Sequence, residues 1–267
     1  MRREERLVAI LDLLGEAGVI EVSDVVGRFD VSPATARRDL DVLASRQLLT
    51  RTRGGASAHS VAYDLPSRFQ RETNAEAKAA IARAAQTLIA PGMRIGLSGG
   101  TTAKAVAGAI GQRGDLEAND GEGITVVTSA INIAAQLVIR PHIRVVVTGG
   151  VMRARSYELV GPYSDLMLER ITLDIALIGV NAIDAVDGPM VHDEREARTN
   201  ALMASRADHA WVIADSEKIG ERAFATVGDS RTFTGLITDS GVRADQVRAL
   251  EAAGLQVMVA SAPTLEG

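Results

Sequence analysis

Residues 93–102, Met-Arg-Ile-Gly-Leu-Ser-Gly-Gly-Thr-Thr, hold the pattern that decides the fold of the larger part of the chain. The apolar run to Leu97 predicts a strand, the glycine pair a tight turn, and the next residues a helix near 102–110. Further helices are expected near 76–90, 130–139, 194–206 and 243–253. The strand-like runs are Met93–Leu97, Ile124–Thr128, Ile143–Thr148, Leu173–Ile178, Ala210–Ala214, Leu236–Thr238 and Leu255–Val259. Strands that alternate with helices in this way predict an α/β domain with a mostly parallel, doubly wound sheet.

The carboxyl ends of these predicted strands carry glycines and small polar residues. Ligands of open parallel sheets bind beyond these ends, and the free amides at a helix start attract anions. Lys218, one of only three lysines in the chain, adds a cation at the same edge. The pattern predicts a site for a phosphorylated ligand with several hydroxyl groups. Its candidate residues are Ser98, Gly99, Gly100, Thr101, Thr102, Thr128, Ser129, Gly149, Gly150, Asn181 and Lys218.

The N-terminal part predicts three short helices. The first is expected to stop at Gly15 or Gly18, and the second to start at Ser23 as its N-cap. The third is expected to start at Ser32, with Pro33 in the first helical position. Their apolar positions at helical spacing are Leu7, Ile10, Leu11 and Leu14, then Val25, Val26 and Phe29, then Ala36, Leu40 and Leu43.

Only Asp30 and Val31 separate the second helix from the third, which is the layout of a helix-turn-helix. The second helix of such a pair enters the major groove of DNA with its first turns leading. An arginine there can donate two hydrogen bonds to guanine or neutralise a phosphate. The predicted DNA-binding residues of this helix are Ser32, Thr35, Arg37 and Arg38. A helical module that docks on protein, with merely solvated arginines, is the alternative.

Residues 48–56 alternate apolar and polar residues and then turn at a glycine pair, which predicts a hairpin. The hairpin would place Arg51 and Arg53 on one face, as a basic wing against the DNA backbone. Residues 32–60 hold five arginines against two aspartates, although the whole chain has a net charge of −5. This concentration of positive charge favours double-stranded DNA as a partner.

Residues 31–40, Val-Ser-Pro-Ala-Thr-Ala-Arg-Arg-Asp-Leu, followed by Arg53-Gly54-Gly55-Ala56, resemble the N-terminal signature of the DeoR family of bacterial transcriptional regulators. The resemblance continues, in family order, through the rest of the chain. Its further motifs are Arg71, Asn74, Lys78–Ala82, Gly99–Thr102, Thr125–Ser129, Gly149–Gly150, Asp174–Gly179 and Ala214–Lys218. It implies a sensor domain similar in fold to ribose-5-phosphate isomerase that binds a sugar phosphate or a similar metabolite.

Within this resemblance, Glu196 matches a family glutamate and joins the candidate effector-binding residues. The chain departs from the family pattern at three positions. Gln47 stands where a glycine usually ends the recognition helix, and Ser98 stands where an aspartate is usual. Asn200 stands in place of the lysine that usually follows the glutamate.

The composition excludes several classes of protein. The chain of 267 residues is 46 % hydrophobic and 24 % charged, which is typical of a globular protein. The absence of cysteine excludes disulfides and thiolate metal sites and fits the cytosol. No apolar run approaches the roughly 20 residues that a membrane span needs. We therefore expect a cytoplasmic protein with no cofactor, no metal and no membrane partner.

Two enzymatic readings compete with regulation. Residues 96–100 match the nucleophile elbow of hydrolases, in which Ser98 would need Asp174 and either His192 or His209. The earlier strand and loop that complete the oxyanion hole are missing, which disfavours hydrolysis. The alternative function is a sugar-phosphate isomerase with Glu196 as base and Lys218 as charge stabiliser. It leaves the helix-turn-helix unexplained.

The sequence thus predicts a winged helix-turn-helix domain over residues 1–57, a linker over 58–75, and an α/β effector-binding and oligomerisation domain over 76–267. The expected function is a transcriptional regulator, a repressor of a carbohydrate-metabolism operon, whose affinity for operator DNA responds to a phosphorylated sugar. Self-association as a dimer or tetramer would bring two or more recognition helices to repeated half-sites.

Overall fold

The computed structural model describes residues 3–17, 19–46, 48–57, 74–116 and 123–260. It divides into two units, residues 1–73 and 74–267. Of the predicted linker, only Asn74 and Ala75 lie within the described residues, and Ala75 already belongs to a helix. Gln47 also lies outside them. No helix of the described part is both long and apolar enough to cross a bilayer.

The N-terminal unit consists of three helices and a small antiparallel sheet. Its elements are α1 (Arg3–Ala17), β1 (Val19–Glu21), α2 (Val22–Phe29), α3 (Pro33–Ser45), β2 (Thr50–Arg51) and β3 (Gly55–Ser57). The strand order is β1-β3-β2. The predicted helix-turn-helix and hairpin are therefore present, and β1 is a strand that the sequence did not predict.

Helix α3 begins as predicted, whereas α2 does not. The Ser32 hydroxyl accepts a hydrogen bond from the Thr35 amide at 3.2 Å, with Pro33 in the first turn. The expected start of α2 at Ser23 is wrong, because the helix begins at Val22 with Glu21 as its N-cap. The Glu21 amide donates to the Asp24 carboxylate at 2.7 Å, so β1 runs directly into the helix.

The core of this unit is made by the apolar stripes of its helices. Ala36, Leu40 and Leu43 of α3 are fully buried against residues of α1 and α2. Asp39 is also buried, and its carboxylate accepts a hydrogen bond from Arg6 Nε of α1 at 2.7 Å. A buried carboxylate is tolerated when it is paired in this way. The contacts fix the rotation of α3 and leave its opposite side to solvent.

The C-terminal unit is built on a seven-stranded, wholly parallel sheet. Its helices are α4 (Ala75–Gln86), α5 (Thr101–Gly111), α6 (Ile131–Leu137), α7 (Pro162–Leu168), α8 (Glu194–Ser205) and α9 (Ala244–Ala252). The sheet strands are β4 (Arg94–Leu97), β5 (Ile124–Thr128), β6 (Ile143–Val147), β9 (Leu173–Gly179), β12 (Ala207–Ile213), β14 (Gly235–Asp239) and β15 (Gln256–Ala260). Their order is β15-β14-β12-β9-β4-β5-β6. All seven predicted strands are confirmed.

Helices cover both faces of the sheet, as predicted for a doubly wound domain. Helices α4, α5 and α6 pack on one face around an apolar cluster that includes Ile81, Val106 and Ile133. Helices α7, α8 and α9 pack on the other, around a cluster that includes Leu168 and Met203. Because an apolar cluster covers each face of the sheet, the side chains on both sides of a strand are apolar, and the strands are continuous apolar runs in the sequence.

Several smaller elements differ from the expectation. Helix α4 ends at Gln86, before the predicted end near residue 90. In the C-terminal unit, α7 and five short strands outside the main sheet were not predicted from the sequence. These strands are β7 (Val151–Met152), β8 (Leu159–Val160), β10 (Ala182–Asp184), β11 (Gly188–Val191) and β13 (Ala225–Thr226). Strands of two to four residues are too short to show a hydrophobic period.

Candidate functional site

The outward side of α3 presents the residues predicted to bind DNA. Arg37 and Arg38 are exposed, and Thr35 is half-buried, because the buried Ala36 and Leu40 hold the opposite side against the core. The Ser32 and Thr35 hydroxyl oxygens lie 2.9 Å apart at the start of the helix. The first turns of α3 therefore expose two guanidinium groups, and the Ser32 and Thr35 hydroxyls lie at the start of the helix.

The two arginines of the predicted wing have different surroundings. Arg51 Nε in β2 donates to the Asp41 carboxylate of α3 at 2.8 Å, and its guanidinium also donates to the Gly55 carbonyl. Arg53 is exposed and lies in the turn between β2 and β3, outside both strands. Arg51 therefore links the hairpin to α3, whereas Arg53 is an exposed charge in the turn of the hairpin.

The predicted effector residues follow the carboxyl ends of adjacent parallel strands. Ser98 follows β4, Ser129 follows β5, and Gly149 comes shortly after β6. Asn181 follows β9, and Lys218 comes shortly after β12. Since β12, β9, β4, β5 and β6 are consecutive in the sheet, all of these segments lie along one edge.

The segment after β4 is held by the Ser98 hydroxyl and by a close approach of two main chains. The buried Ser98 hydroxyl accepts a hydrogen bond from the Gly179 amide at 2.8 Å and donates to the Gly99 carbonyl at 3.3 Å. A Cβ on Gly179 would lie 2.8 Å from the Gly99 carbonyl oxygen, so only glycine permits this approach. Ser98 thus joins two strand ends with its hydroxyl.

Helix α5 begins beside this segment. Gly100 has a φ of +99°, which favours glycine, and the helix starts at Thr101. The Thr102 hydroxyl oxygen is buried and has no hydrogen-bond partner among the described residues. A buried, unpaired hydroxyl in the first turn of a helix is a donor that a bound anion can use.

An arm over residues 151–160, comprising β7, β8 and their connection, brings a carboxylate that the sequence analysis missed. Glu158 is 4 % exposed, and its Oε2 accepts a hydrogen bond from the Ser129 hydroxyl at 2.9 Å. The Gly99 amide donates to the same carboxyl group, and a Cβ on Gly99 would collide with it. Burial, and then the nearby Glu196 carboxylate, raise the pKa of Glu158 to about 7.

The arm is also tied to α8. Glu196 Oε1 accepts hydrogen bonds from the Ser156 hydroxyl at 2.6 Å and from Arg153 Nε at 3.1 Å. Arg153 makes a second ion pair with Asp193 at 2.7 Å. The predicted Glu196 is therefore part of a network of carboxylates and one guanidinium. The mostly polar stretch over residues 153–158, shortly after Gly149–Gly150, was the only sequence signal for the arm.

Lys218 lies at the other side of the same edge. Its ammonium group donates to the Val180 carbonyl at 2.8 Å and lies 3.7 Å from an Asp215 carboxylate oxygen. Burial lowers the pKa of Lys218, while Asp215 raises it and the neighbouring Lys78 lowers it. Lys78 is itself buried. Lys218 and Lys78 thus bring two lysines to this part of the edge, with the Asp215 carboxylate close to Lys218.

The remaining candidates are held by local bonds. The Asn181 side-chain oxygen accepts a hydrogen bond from the His192 amide at 3.1 Å, and the Gly149 carbonyl accepts one from the Ser164 hydroxyl. Thr128 Oγ1 accepts one from the Ala130 amide at 3.1 Å. Asn200 is buried on α8, and its side-chain oxygen has no partner among the described residues.

The geometry also tests the hydrolase reading. Asp174 lies at the amino end of β9, where it pairs with Arg94 at 2.6 Å. Ser98 follows the carboxyl end of the neighbouring strand, so the two side chains lie at opposite edges of the sheet. His209 pairs in register with Ile175, also near the amino end of β9. In the described chain, no three His, Asp or Glu residues form a group that could hold a metal ion.

Family models match both units. The model described as "DeoR-like helix-turn-helix domain" matches residues 6–61, and "DeoR C terminal sensor domain" matches residues 73–240. The chain belongs to the DeoR family. Its members are transcriptional regulators, not enzymes, and the predicted family and fold class are confirmed.

Individual relatives align with nearly the whole of this DeoR-family chain. It is 28 % identical to the "Glycerol-3-phosphate regulon repressor" of Escherichia coli K12, over 90 % of this chain and 92 % of that protein. It is 32 % identical to the "HTH-type transcriptional regulator GlpR" of Haloferax volcanii, over 95 % and 96 %. Among solved structures, it is similar to ribose 5-phosphate isomerase A from Methanocaldococcus jannaschii, with a TM-score of 0.39, 18 % identity and 55 % of each chain covered.

Proposed function

We propose that this DeoR-family regulator represses a carbohydrate-use operon and that a phosphorylated sugar or similar metabolite modulates its affinity for operator DNA. The observation that carries the proposal is the pairing of two sites in one chain. Exposed arginines lie on a helix-turn-helix, and a sheet edge elsewhere collects the buried Lys78, the half-buried Lys218 and the Thr102 hydroxyl, which is unpaired among the described residues. The name of the Escherichia coli relative, a repressor of a glycerol-3-phosphate regulon, supports the ligand class.

DNA is read by the first turns of α3 in this proposal. Arg37 and Arg38 reach base edges and phosphates, with Thr35 and Ser32 at the leading end. Arg53, and the free part of the Arg51 guanidinium, contact the sugar-phosphate backbone. Arginine suits both roles, because it donates bidentately to guanine and neutralises phosphate charge.

The effector binds beyond the carboxyl ends of the sheet strands. Its anionic group meets the start of α5 at Gly99–Thr102, where main-chain amides and the Thr102 hydroxyl are donors. Lys218 supplies a positive charge. The hydroxyl groups of the ligand are placed against Thr128–Ser129, Gly149–Gly150, Asn181 and Glu196.

Self-association of the C-terminal unit completes the proposal. Large apolar side chains that are more than half exposed occur close together in the chain, at Val151 and Met152 of β7 and at Tyr163 and Leu166 of α7. Exposed apolar groups of this size favour association. A dimer or tetramer places recognition helices on repeated half-sites, and a ligand with different affinities for two states of the assembly shifts their populations.

The test uses the full chain, promoter fragments from its own genomic neighbourhood, and a thermal-shift screen of sugar phosphates. We expect at least one fragment to be bound, and one sugar phosphate to change that binding. Lys218→Ala should abolish the response to the ligand and leave DNA affinity unchanged, because the lysine lies in the C-terminal unit. Arg248→Ala removes an exposed cation of the same unit as control.

Three results would contradict the proposal. An unchanged ligand response in the Lys218 variant would show that the site is misplaced. A monomer at micromolar concentration in size-exclusion chromatography would remove the half-site argument. Indifference to every promoter fragment, together with rapid consumption of a phosphorylated sugar, would favour the isomerase alternative.

A further inference from the structure

Two donors that the proposed function assigns to the effector are already occupied. The Gly99 amide and the Ser129 hydroxyl both donate to the carboxyl group of Glu158. Gly99 belongs to the segment that leads into α5, and Ser129 follows the neighbouring strand. A carboxylate is thus seated where an anionic ligand group would be received.

The surroundings of the Gly99 amide and the Ser129 hydroxyl favour one negatively charged group but not two. The start of α5 and its free amides favour one negative charge. Glu158 is almost fully buried, so water does little to screen a second charge placed beside it. Any phosphate group that used the Gly99 amide would meet the Glu158 carboxylate at contact distance.

We propose that Glu158 is a built-in competitor of the effector, whose carboxylate occupies the anion site in the ligand-free protein. The anionic group of the effector displaces this carboxylate, or binds after the carboxylate has taken a proton from solvent. The inference rests on the proposed function, because it concerns the same site. It adds a residue that sets the affinity of the site and links ligand binding to proton uptake.

Proton uptake is favoured by the groups that face Glu158. Glu196 of α8 repels its charge, whereas Arg153 of the arm attracts it. Arg153 already forms ion pairs with Glu196 and Asp193, which limits how far its charge stabilises the Glu158 carboxylate. Burial is the largest cause of the raised pKa of Glu158, which lies at about 7, and the repulsion by Glu196 adds to it. The proton-linked route is therefore open close to neutral pH.

The carboxylate leaves by rotation of its side chain, because the main chain of the arm is fixed. The Leu159 amide donates to the Ser129 carbonyl at 2.8 Å, and the Ile131 amide donates to the Tyr157 carbonyl at 3.0 Å. On both sides of Glu158, these bonds hold the arm to Ser129 and to Ile131, which lie just after the end of β5 and at the start of α6. Displacement frees Gly99 and Ser129 without opening the arm.

Sulfate is a suitable probe, because it remains a dianion between pH 6 and pH 8. Its affinity for the full chain can be measured by isothermal titration calorimetry at both pH values. For the unchanged protein we expect binding to be several-fold tighter at pH 6. Glu158→Gln should bind sulfate at least about tenfold tighter than the unchanged protein at pH 8, with little difference between the two pH values.

Glu158→Ala serves as a second variant, since it removes the carboxyl group without adding an amide donor. Glu194→Gln is the control, because Glu194 is an exposed carboxylate of α8. Thr102→Val tests whether sulfate binds at the start of α5. It should weaken sulfate binding in the Glu158→Gln background. Both Glu158 variants are expected to bind more tightly, and the control should behave as the unchanged protein.

The outcomes separate this inference from the proposed function. If sulfate binds, and Thr102→Val weakens it, but both Glu158 variants match the control, Glu158 is no competitor and the anion site stands. If sulfate and the sugar phosphates bind to none of the proteins, the anion site itself is wrong and both proposals fail. A pH dependence that persists in Glu158→Gln would assign the linked proton to another group.

Discussion

The two units of the chain expose their polar residues in opposite ways. In the N-terminal unit, Arg37 and Arg38 stand free on α3, because the apolar stripe of the helix faces the core. In the C-terminal unit, Ser98, Glu158 and Glu196 are bonded to other residues of the same site. A surface that binds DNA needs charged groups that are exposed to solvent, whereas a site for a small ligand needs hydrogen-bond donors that are already held in position. Substitutions at the exposed arginines are therefore expected to act on binding, whereas substitutions at the bonded residues act on folding as well.

The first prediction concerns Asp39, which is the exception in the N-terminal unit because it is a buried charge on the DNA-binding helix. Asp39→Ala leaves Arg6, whose side chain is 13 % exposed, without its 2.7 Å partner. We expect the free energy of unfolding of this unit to fall by about 3 kcal/mol or more, since an unpaired buried charge is costly. Urea unfolding followed by circular dichroism measures it.

Asp41→Ala is the matched control for Asp39→Ala. Asp41 also lies on α3 and also pairs with an arginine, but its side chain is 64 % exposed. Exposed pairs contribute about 1 kcal/mol or less. Equal losses in the two variants would mean that burial does not set the strength of these pairs.

The second prediction concerns pH and the C-terminal unit. Glu158 has a pKa of about 7 in the folded protein, against an ordinary value of 4.5. The folded state therefore holds the proton more firmly than the unfolded chain, and the resulting stability is complete below pH 4.5 and lost as the pH rises through 7. The complete loss amounts to about 3 kcal/mol.

Glu158→Gln should flatten that profile, because the amide does not titrate. The measurement is the free energy of unfolding in urea at pH 5, 7 and 8.5, without any ligand. Parallel profiles for the variant and the unchanged protein would show that Glu158 is ionised in the folded state throughout this range.

The third and smallest effect is expected at Arg38. Arg38→Ala should weaken operator binding by about 1–3 kcal/mol and relax the preference at one base position, with no change in stability. Arg83→Ala removes an exposed arginine of α4 and is the control. Fluorescence anisotropy with operator and scrambled duplexes measures both the affinity for the operator and the preference for its sequence. An Arg38 variant that keeps affinity and specificity would remove this residue from the interface.

Much of the fold was predictable, because its determinants are local in the sequence. The parallel strands are apolar runs bounded by glycine, proline or polar residues, so all seven were found. Ser32 and Pro33 predicted the start of α3 correctly. The start of α2 was wrong, because Ser23 resembles an N-cap but Glu21 fills that position, with its amide bonded to Asp24.

The site was predictable only in part, because its contacts join distant residues. Ser129 and Glu158 are 29 positions apart, and Arg153 and Glu196 are 43 apart. No period or spacing indicates such pairs. Ser98 was expected to face the ligand, yet its hydroxyl bonds Gly179, 81 positions away. The edge of the sheet could be predicted, but the partners along it required the structure.

The close approach of β4 and β9 has a consequence for how this protein can change. A Cβ on Gly179 would meet the Gly99 carbonyl oxygen, and a Cβ on Gly99 would meet the Glu158 side chain, so neither position has space for a side chain. A substitution at Gly179 would push the two strand ends apart, and one at Gly99 would displace Glu158. New ligand preferences must therefore come from residues of the arm and of α8, where a single substitution alters the chemistry and leaves the sheet intact.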